Sequence, residues 1–217
     1  MPNVEDRLLI AVDIGNSRMK IGRFVRGAGR AKSSNTASMP EPTDTLNILI
    51  DRAGEFDLDR LFNWCGRHGR TAAPWLIGSV HRGASARLAA AIEDWAIRWN
   101  VSCDVRRLTY LDVPLEIRVD EPARVGIDRL LGALGANRLR DPGRAAIVVD
   151  LGTAITVDLV EADGAFAGGA ILPGIAMSAR ALADQTDALP KLPFAELNEP
   201  PRALGKSTAA AMESGLF

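Results

Sequence analysis

Two short segments of this 217-residue chain carry the same arrangement of residues that could bind phosphate. Each is an apolar run ending in Asp-x-Gly and a polar residue, at Asp13-Ile14-Gly15-Asn16 and at Asp150-Leu151-Gly152-Thr153. Successive N–H groups in such a turn form a nest for an anion, and glycine lets a ligand approach the backbone closely. A carboxylate at the strand end can hold a cation or its waters, which offsets phosphate charge. Because the arrangement occurs twice, it favours two phosphate-binding hairpins over ordinary Asp-x-Gly turns.

A third segment, Gly126-Ile127-Asp128-Arg129, could carry out chemistry on a bound substrate. A carboxylate can orient and deprotonate an alcohol for attack on a phosphoryl group, and an adjacent arginine can fix a substrate carboxylate. An aspartate near a helix N-terminus is also a common capping or dipole-matching residue. From spacing alone, both interpretations of Asp128 stay open.

Hydrophobic periodicity predicts the elements that position these residues. Each Asp-x-Gly segment ends a buried strand, and a second strand follows each turn, at residues 18–25 and 155–161. The remaining predictions are strands at residues 75–80 and 101–105 and helices at residues 46–53, 84–99, 124–139, 175–183 and 208–217. The alternation of strands and helices indicates an α/β fold.

Composition excludes several classes of protein. The chain is 47% hydrophobic and 24% charged, as expected of a soluble globular protein. Its net charge of -1 gives no bulk attraction to nucleic acid or to an anionic membrane, and no apolar stretch approaches a membrane span. The spacing of Cys65 and Cys103 matches no pattern of metal ligands, and we expect both to be free thiols in a reducing compartment. With no signal peptide apparent, we expect a cytoplasmic protein that binds neither nucleic acid nor membrane.

Taken together, these segments resemble the type III pantothenate kinases, a family of the acetate and sugar kinase, heat-shock chaperone and actin superfamily. The matching features follow the family's order along nearly the whole chain. They are residues 13–17 with Lys20, Pro122 with residues 126–129, residues 150–158, Gly168-Gly169 with Pro173-Gly174, and Ala181-Leu182 and Thr186 with Leu189-Pro190.

The resemblance implies two ribonuclease-H-like α/β domains with a nucleotide cleft between them. The first would cover residues 1–121 and carry the first phosphate hairpin. The second would cover residues 122–217 and carry the catalytic aspartate and the second hairpin. Family members continue past the position of Phe217, so the resemblance also implies a truncated C-terminal part.

The implied activity is ATP-dependent phosphorylation of pantothenate, the first step of coenzyme A biosynthesis. Asp128 would accept the proton of the substrate hydroxyl. The implied ATP-binding residues are Asp13, Ile14, Gly15, Asn16, Ser17, Arg18, Met19, Lys20, Gly152 and Thr153. The implied pantothenate-binding residues are Gly126, Ile127, Asp128, Arg129 and, contributed across a dimer interface, Thr186.

The resemblance also implies cofactors and an assembly. Asp13 would hold Mg²⁺ through water, and Asp150 would hold a monovalent cation, K⁺ or NH₄⁺. The protein would be a homodimer with pantothenate bound at the interface. Val119 stands where the family usually has tyrosine, and we expect the missing hydroxyl to alter pantothenate recognition.

Two other functions stay open on the sequence. One is a kinase of the same superfamily that acts on another hydroxyl substrate. The other is a non-catalytic, nucleotide-binding regulatory protein of the same fold. The joint presence of Asp13, Asp128 and Asp150 favours an enzyme, since a binding module has no chemical need for Asp128.

Overall fold

The computed structural model describes residues 8–25, 39–67, 73–192 and 200–217. Strands and helices alternate within these residues, which confirms the predicted α/β class. The elements are β1 (Leu8–Ile14), β2 (Arg18–Val25), β3 (Asp44–Leu49), α1 (Leu58–Arg67), β4 (Ala73–Ser79), α2 (Arg82–Trp99), β5 (Cys103–Arg107), α3 (Ile127–Leu139), β6 (Ala146–Leu151), β7 (Ala154–Val160), β8 (Phe166–Pro173), α4 (Ile175–Asp184) and α5 (Thr208–Leu216).

The chain divides into two compact units. The first unit comprises the described residues up to Ala146 together with Leu159–Gly168. The second unit comprises Ile147–Asp158 and the described residues from Gly169 onward. The middle segment with Asp128 therefore belongs to the same unit as the first phosphate hairpin.

A mixed five-stranded sheet forms the centre of the first unit. Its strand order is β3-β2-β1-β4-β5. The first three of these strands run antiparallel, whereas β1, β4 and β5 are parallel. This order and these directions match the ribonuclease-H-like core expected of the first half. Alternate residues of β1, including Val12 and Ile14, are buried in the core, as the period of two requires.

Helices cover both faces of β4. Ile77 of β4 belongs to a hydrophobic cluster with Trp64 of α1 and Leu88 of α2, and all three are almost fully buried. The next residue, Gly78, points to the opposite face. A β-carbon at Gly78 would lie 3.0 Å from Cδ1 of Leu131, so α3 covers that second face.

The helix predicted over residues 46–53 is wrong. This segment instead contains β3, which pairs antiparallel with β2. Leu46 and Ile48 are buried while Asn47 and Leu49 are exposed, so the apolar residues follow the period of a strand. Thr43 and Asp44 resemble helix caps, but Thr43 hydrogen-bonds across to the Arg23 carbonyl of β2.

The other predicted elements are present, with shifts of a few residues at their ends. Helix α1 and strand β8 are elements that the hydrophobic pattern did not lead us to predict. In the described part of the chain, no helix combines the length and apolar character that a membrane crossing needs.

The second unit contains most residues of strands β6, β7 and β8, which form a three-stranded sheet, and the helices α4 and α5. The two helices contact each other, and each buries one side chain, Ala179 and Met212. The side chain of Ser207 caps α5 by accepting a hydrogen bond from the Ala210 N–H at 3.2 Å. The sheet carries the second Asp-x-Gly turn between β6 and β7.

Candidate active site

The first Asp-x-Gly turn joins β1 to β2 and presents exposed polar groups. The Gly15 N–H donates to the Arg18 carbonyl at 2.9 Å and closes the turn. Asp13 pairs across the strands with Lys20, and the carboxylate Oδ2 lies 3.8 Å from the ammonium Nζ. The Ser17 carbonyl accepts from the Ile50 N–H, which anchors the turn to the chain after β3. The turn thus presents a carboxylate and an ammonium side by side at the end of β1.

The segment Gly126-Ile127-Asp128-Arg129 forms the start of α3, where the position of the Asp128 carboxylate is closely constrained. Oδ1 of Asp128 accepts from the Arg129 N–H at 2.8 Å, and the side chain is half-buried. A β-carbon at Gly126 would lie 2.5 Å from that same oxygen and 3.5 Å from Cγ1 of Val80. Any side chain at residue 126 would therefore displace the Asp128 carboxylate.

Strand β4 brings the first turn and the start of α3 to one place. Asp13 pairs in register with Gly78 of the parallel strand β4, and paired residues project to the same face. A β-carbon at Gly78 would lie 3.9 Å from Cγ2 of Ile127 in the first turn of α3. Asp13, Lys20 and the start of α3 therefore share one face, at the carboxyl ends of β1 and β4. Ligands of open α/β sheets bind at such strand ends.

Arg129 lies over an aromatic ring that we did not predict as part of the site. Its guanidinium carbon is 5.6 Å from the centroid of the Phe166 ring, within the range of a cation–π contact. Phe166 is fully buried. In the sequence, Phe166 lies outside every predicted element, and no local pattern marks it.

The second Asp-x-Gly turn, in the second unit, is supported by the start of α4. The Gly152 N–H donates to the Ala154 carbonyl at 3.0 Å, and the Thr153 carbonyl accepts from the Gly174 N–H at 3.1 Å. A β-carbon at Gly174 would collide with the carbonyl oxygens of Gly152 and Thr153. Glycine at 174 is therefore required for α4 to begin against this turn.

Glycine is favoured at residues 168 and 169 for two different physical reasons. Gly168 has a φ of +91°, which strongly favours glycine, and its position for a β-carbon is 3.4 Å from Cγ1 of Val119. A β-carbon at Gly169 would collide with the Val157 carbonyl and lie 2.6 Å from Oδ1 of Asp158. Asp158 is a buried carboxylate, 1% exposed, to which we assigned no role from the sequence.

Thr186 and Asp150 are both exposed. The Thr186 hydroxyl donates to the Leu182 carbonyl at 2.7 Å, just beyond the end of α4. Among the described residues, no lysine or arginine lies within 4.0 Å of the Asp150 carboxylate, whereas Asp13 has Lys20. The two aspartates of the repeated motif therefore differ in their local charge.

Metal ions would find few protein ligands. Within residues 8–25, 39–67, 73–192 and 200–217, no group of three or more His, Cys, Asp or Glu side chains could hold a metal. The single carboxylate of Asp13 nevertheless fits Mg²⁺, which keeps several waters and usually takes only one or two protein carboxylates beside substrate phosphates.

Two other features of the first unit lie apart from these residues. A groove of about 430 Å³ between α1 and α2 is lined by Phe62 and Trp95 among others, and no predicted site residue lines it. Burial, with a smaller effect of the nearby Cys103, raises the pKa of the Cys65 thiol to about 12. A thiol with so high a pKa is a poor nucleophile at neutral pH.

Comparison with known proteins places these segments in a family. A family profile described as type III pantothenate kinase matches residues 9–217. The chain belongs to the type III pantothenate kinase family. A type III pantothenate kinase of Rubrobacter xylanophilus is 47% identical over 219 residues, which cover 97% of this chain and 74% of that relative. Another, from Rhodopirellula baltica, is 46% identical over 143 residues, which cover 65% of this chain and 50% of the relative.

The chain spans about half the length of the type III pantothenate kinase of Rhodopirellula baltica. Among solved structures, the Aquifex aeolicus member of the Ppx/GppA family is similar with a TM-score of 0.40 at 12% identity, over 86% of this chain and 55% of that one. All the predicted site residues lie within the segment that matches the pantothenate kinase family.

Proposed function

We propose that the chain phosphorylates pantothenate with ATP, the entry reaction of coenzyme A biosynthesis. Membership in the type III pantothenate kinase family supports the reaction. The observation that carries the site is the in-register pair of Asp13 and Gly78, because it puts the first phosphate turn and the start of α3 on one face. ATP bound at the first turn and the Asp128 carboxylate at the start of α3 would then lie on the same face of the sheet.

In the proposed reaction, Asp128 takes the proton of the pantothenate hydroxyl while the hydroxyl oxygen attacks the γ-phosphorus of ATP. The bond from that phosphorus to the bridging oxygen breaks, and ADP leaves. The Arg129 guanidinium binds the pantothenate carboxylate, since its paired N–H donors match a carboxylate's geometry. Gly126 and Ile127 line the same substrate site.

The two turns bind the ATP phosphates through backbone N–H groups, with Lys20 adding a positive charge. The residues assigned to ATP are Asp13, Ile14, Gly15, Asn16, Ser17, Arg18, Met19, Lys20, Gly152 and Thr153. Asp13 would hold Mg²⁺ through water, and the bound ion would supply positive charge to offset that of the phosphate oxygens. A monovalent cation, K⁺ or NH₄⁺, is assigned to Asp150, whose carboxylate is exposed and, among the described residues, has no lysine within 4.0 Å, whereas Asp13 has Lys20.

We further propose that the protein acts as a homodimer in which Thr186 contacts pantothenate in the other subunit. Thr186 is exposed, and its oxygen can still accept a hydrogen bond while donating to Leu182. Leu182 and Met177 of α4 are exposed as well, which suits a contact between subunits. Sedimentation at micromolar concentration should give a dimer, and a monomer would contradict this assembly.

The function is tested by incubating the purified chain with ATP, Mg²⁺, K⁺ and pantothenate and detecting phosphopantothenate by mass. ADP and phosphopantothenate should form in equal amounts, and neither should form without pantothenate. Thermal shifts with ATP and pantothenate separately report binding, because a ligand of the folded state stabilises it. ADP release only with a different alcohol would point to another hydroxyl substrate. Stabilisation by ATP without any transfer would point to a non-catalytic protein.

A further inference from the structure

We propose that Phe166 is a positioning residue that sets how Arg129 recognises the substrate carboxylate, an inference that rests on the proposed function. The guanidinium carbon of Arg129 lies 5.6 Å from the Phe166 ring centroid. A guanidinium that lies over an aromatic ring keeps its N–H donors in its own plane, where a carboxylate can bind two of them. The ring would thus hold the plane of the guanidinium and leave its edge to the substrate.

The backbone of Phe166 is fixed on both sides. Its N–H donates to the Glu116 carbonyl and its carbonyl accepts from the Arg118 N–H, each at 2.8 Å. These bonds form a parallel bridge between Ile117 and Phe166. With its side chain fully buried, the ring has one position rather than many.

An ion-pair network ties this bridge to the turn between β7 and β8. The Arg118 guanidinium pairs with Glu116 at 2.9 Å, with Asp163 at 2.6 Å and with Glu161. These carboxylates raise the pKa of Arg118, and the hydrogen bonds that Arg118 donates to Glu116 are the largest cause. The Ala165 N–H and then Arg118 lower the pKa of Asp163. Single exposed ion pairs contribute little, but one arginine held by three carboxylates orders the turn that precedes Phe166.

Helix α3, which carries Arg129 near its start, is bonded to the same turn near its end. The Asn137 side-chain amide donates to the Gly164 carbonyl at 2.6 Å. The Arg140 Nε–H donates to the Asn137 side-chain oxygen at 2.5 Å, and another Arg140 N–H donates to the Ala162 carbonyl at 3.0 Å. The helix and the ring are therefore held in fixed register by bonds remote from the substrate.

The test compares the wild type with Phe166→Leu and Phe166→Met, two variants without the ring, and Phe166→Tyr, which keeps it. Loss of the ring should raise the KM for pantothenate roughly 2- to 30-fold, as expected for losing one cation–π contact. The KM for ATP should stay unchanged. An analogue whose carboxylate is replaced by a hydroxymethyl group should show no such loss, and Phe166→Tyr should retain a KM near the wild-type value.

The chain offers a matched control. The Arg87 guanidinium carbon lies 5.8 Å from the Phe56 ring centroid, in the same unit but at residues without a proposed role in the site. Phe56→Leu therefore removes the same kind of contact and should leave the KM for pantothenate unchanged. Equal losses for pantothenate and for the carboxylate-free analogue would overturn the positioning role, as would an unchanged KM in both ring-free variants.

A spectroscopic readout separates this inference from the proposed function. The Arg129 Nε–H resonance, assigned with Arg129→Lys, should be shifted upfield by the Phe166 ring in the wild type and lose that shift in the ring-free variants. If the wild type transfers no phosphate to pantothenate, the proposed function fails while this shift still decides the placement of Arg129. Absence of the shift in the wild type would overturn the inference even if pantothenate is phosphorylated.

Discussion

The two Asp-x-Gly turns share a sequence motif but have different structural support. Ile14, the residue between aspartate and glycine in the first turn, is 0% exposed, whereas its counterpart Leu151 is 72% exposed. Ile147 and Val149 of the second strand are also exposed. The first strand lies inside a five-stranded sheet, and the second belongs to a three-stranded one. The motif therefore determines the turn, while the burial of its strand depends on elements elsewhere in the chain.

The turns also differ in what holds them. The first is attached to the strand after β3 through the Ser17 carbonyl, and its aspartate lies beside Lys20. The second is packed backbone to backbone against Gly174, and no lysine or arginine of the described residues lies within ion-pair distance of its aspartate. The first turn is therefore held by the chain after β3, and the second is held by the start of α4.

The largest expected effect tests whether the first unit carries the proton acceptor. Asp128→Asn should lower kcat roughly 100- to 10,000-fold, because a general base is lost, with little change in ATP affinity. Asp141→Asn, just beyond the opposite end of α3, is the control and should keep full activity. The measurement is kcat by ADP release together with ATP binding by calorimetry. Near-normal turnover of Asp128→Asn would remove Asp128 from its role and move the chemistry away from the first unit.

The second effect tests the difference in burial directly. Ile14→Ala should lower the free energy of unfolding by about 2–5 kcal/mol, since it leaves a cavity in the packed core. Leu151→Ala, at the same motif position, should change it by no more than about 0.5 kcal/mol. Urea unfolding of the two variants beside the wild type decides the point. Equal losses would show that the second strand is packed as tightly as the first.

The sequence predicts local features of this structure better than contacts between distant segments. Both turns, the strands around them and helices α2 and α4 follow from periodicity and turn residues that lie within a few positions of one another. Strand β3 was wrongly predicted as a helix, because Thr43 and Asp44 resemble caps and the period of two at Leu46 and Ile48 is short.

Contacts between elements that are distant in sequence could not be predicted from periodicity and turn residues. The proximity of Gly78 to α3 and the placement of Phe166 under Arg129 depend on which elements pack together, and neither residue lies in a distinctive local pattern. The roles of the site residues and the domain boundary after residue 121 stay predictions. The family resemblance supplied those roles, whereas the structure supplies the physical reasons for glycine at 126, 169 and 174.

A third effect tests the backbone packing of the second turn. Gly174→Ala should lower the free energy of unfolding by about 1–3 kcal/mol, because its β-carbon would meet the Gly152 and Thr153 carbonyls, which cannot rotate away. Gly215→Ala, in α5 of the same unit, is the matched control, since no atom of the described residues outside the neighbouring backbone of α5 lies within 4 Å of its β-carbon position. It should cause no loss of stability. If both variants unfold like the wild type in urea, α4 does not support the second turn as described.

The smallest effect concerns the charge at the two aspartates. If Asp150 holds a monovalent cation while Asp13 has Lys20, activity should be higher in potassium or ammonium than in sodium. The difference should be at most about fivefold, since an exposed ion pair contributes roughly 0–1 kcal/mol. Asp150→Ala should abolish the dependence on the cation, whereas Lys20→Ala should weaken ATP use and leave the dependence in place. Measuring kcat in chloride salts of the three cations at constant ionic strength distinguishes these outcomes. Equal rates in all three salts would mean that Asp150 is only a turn residue, and the two aspartates would then not differ in function as their surroundings suggest.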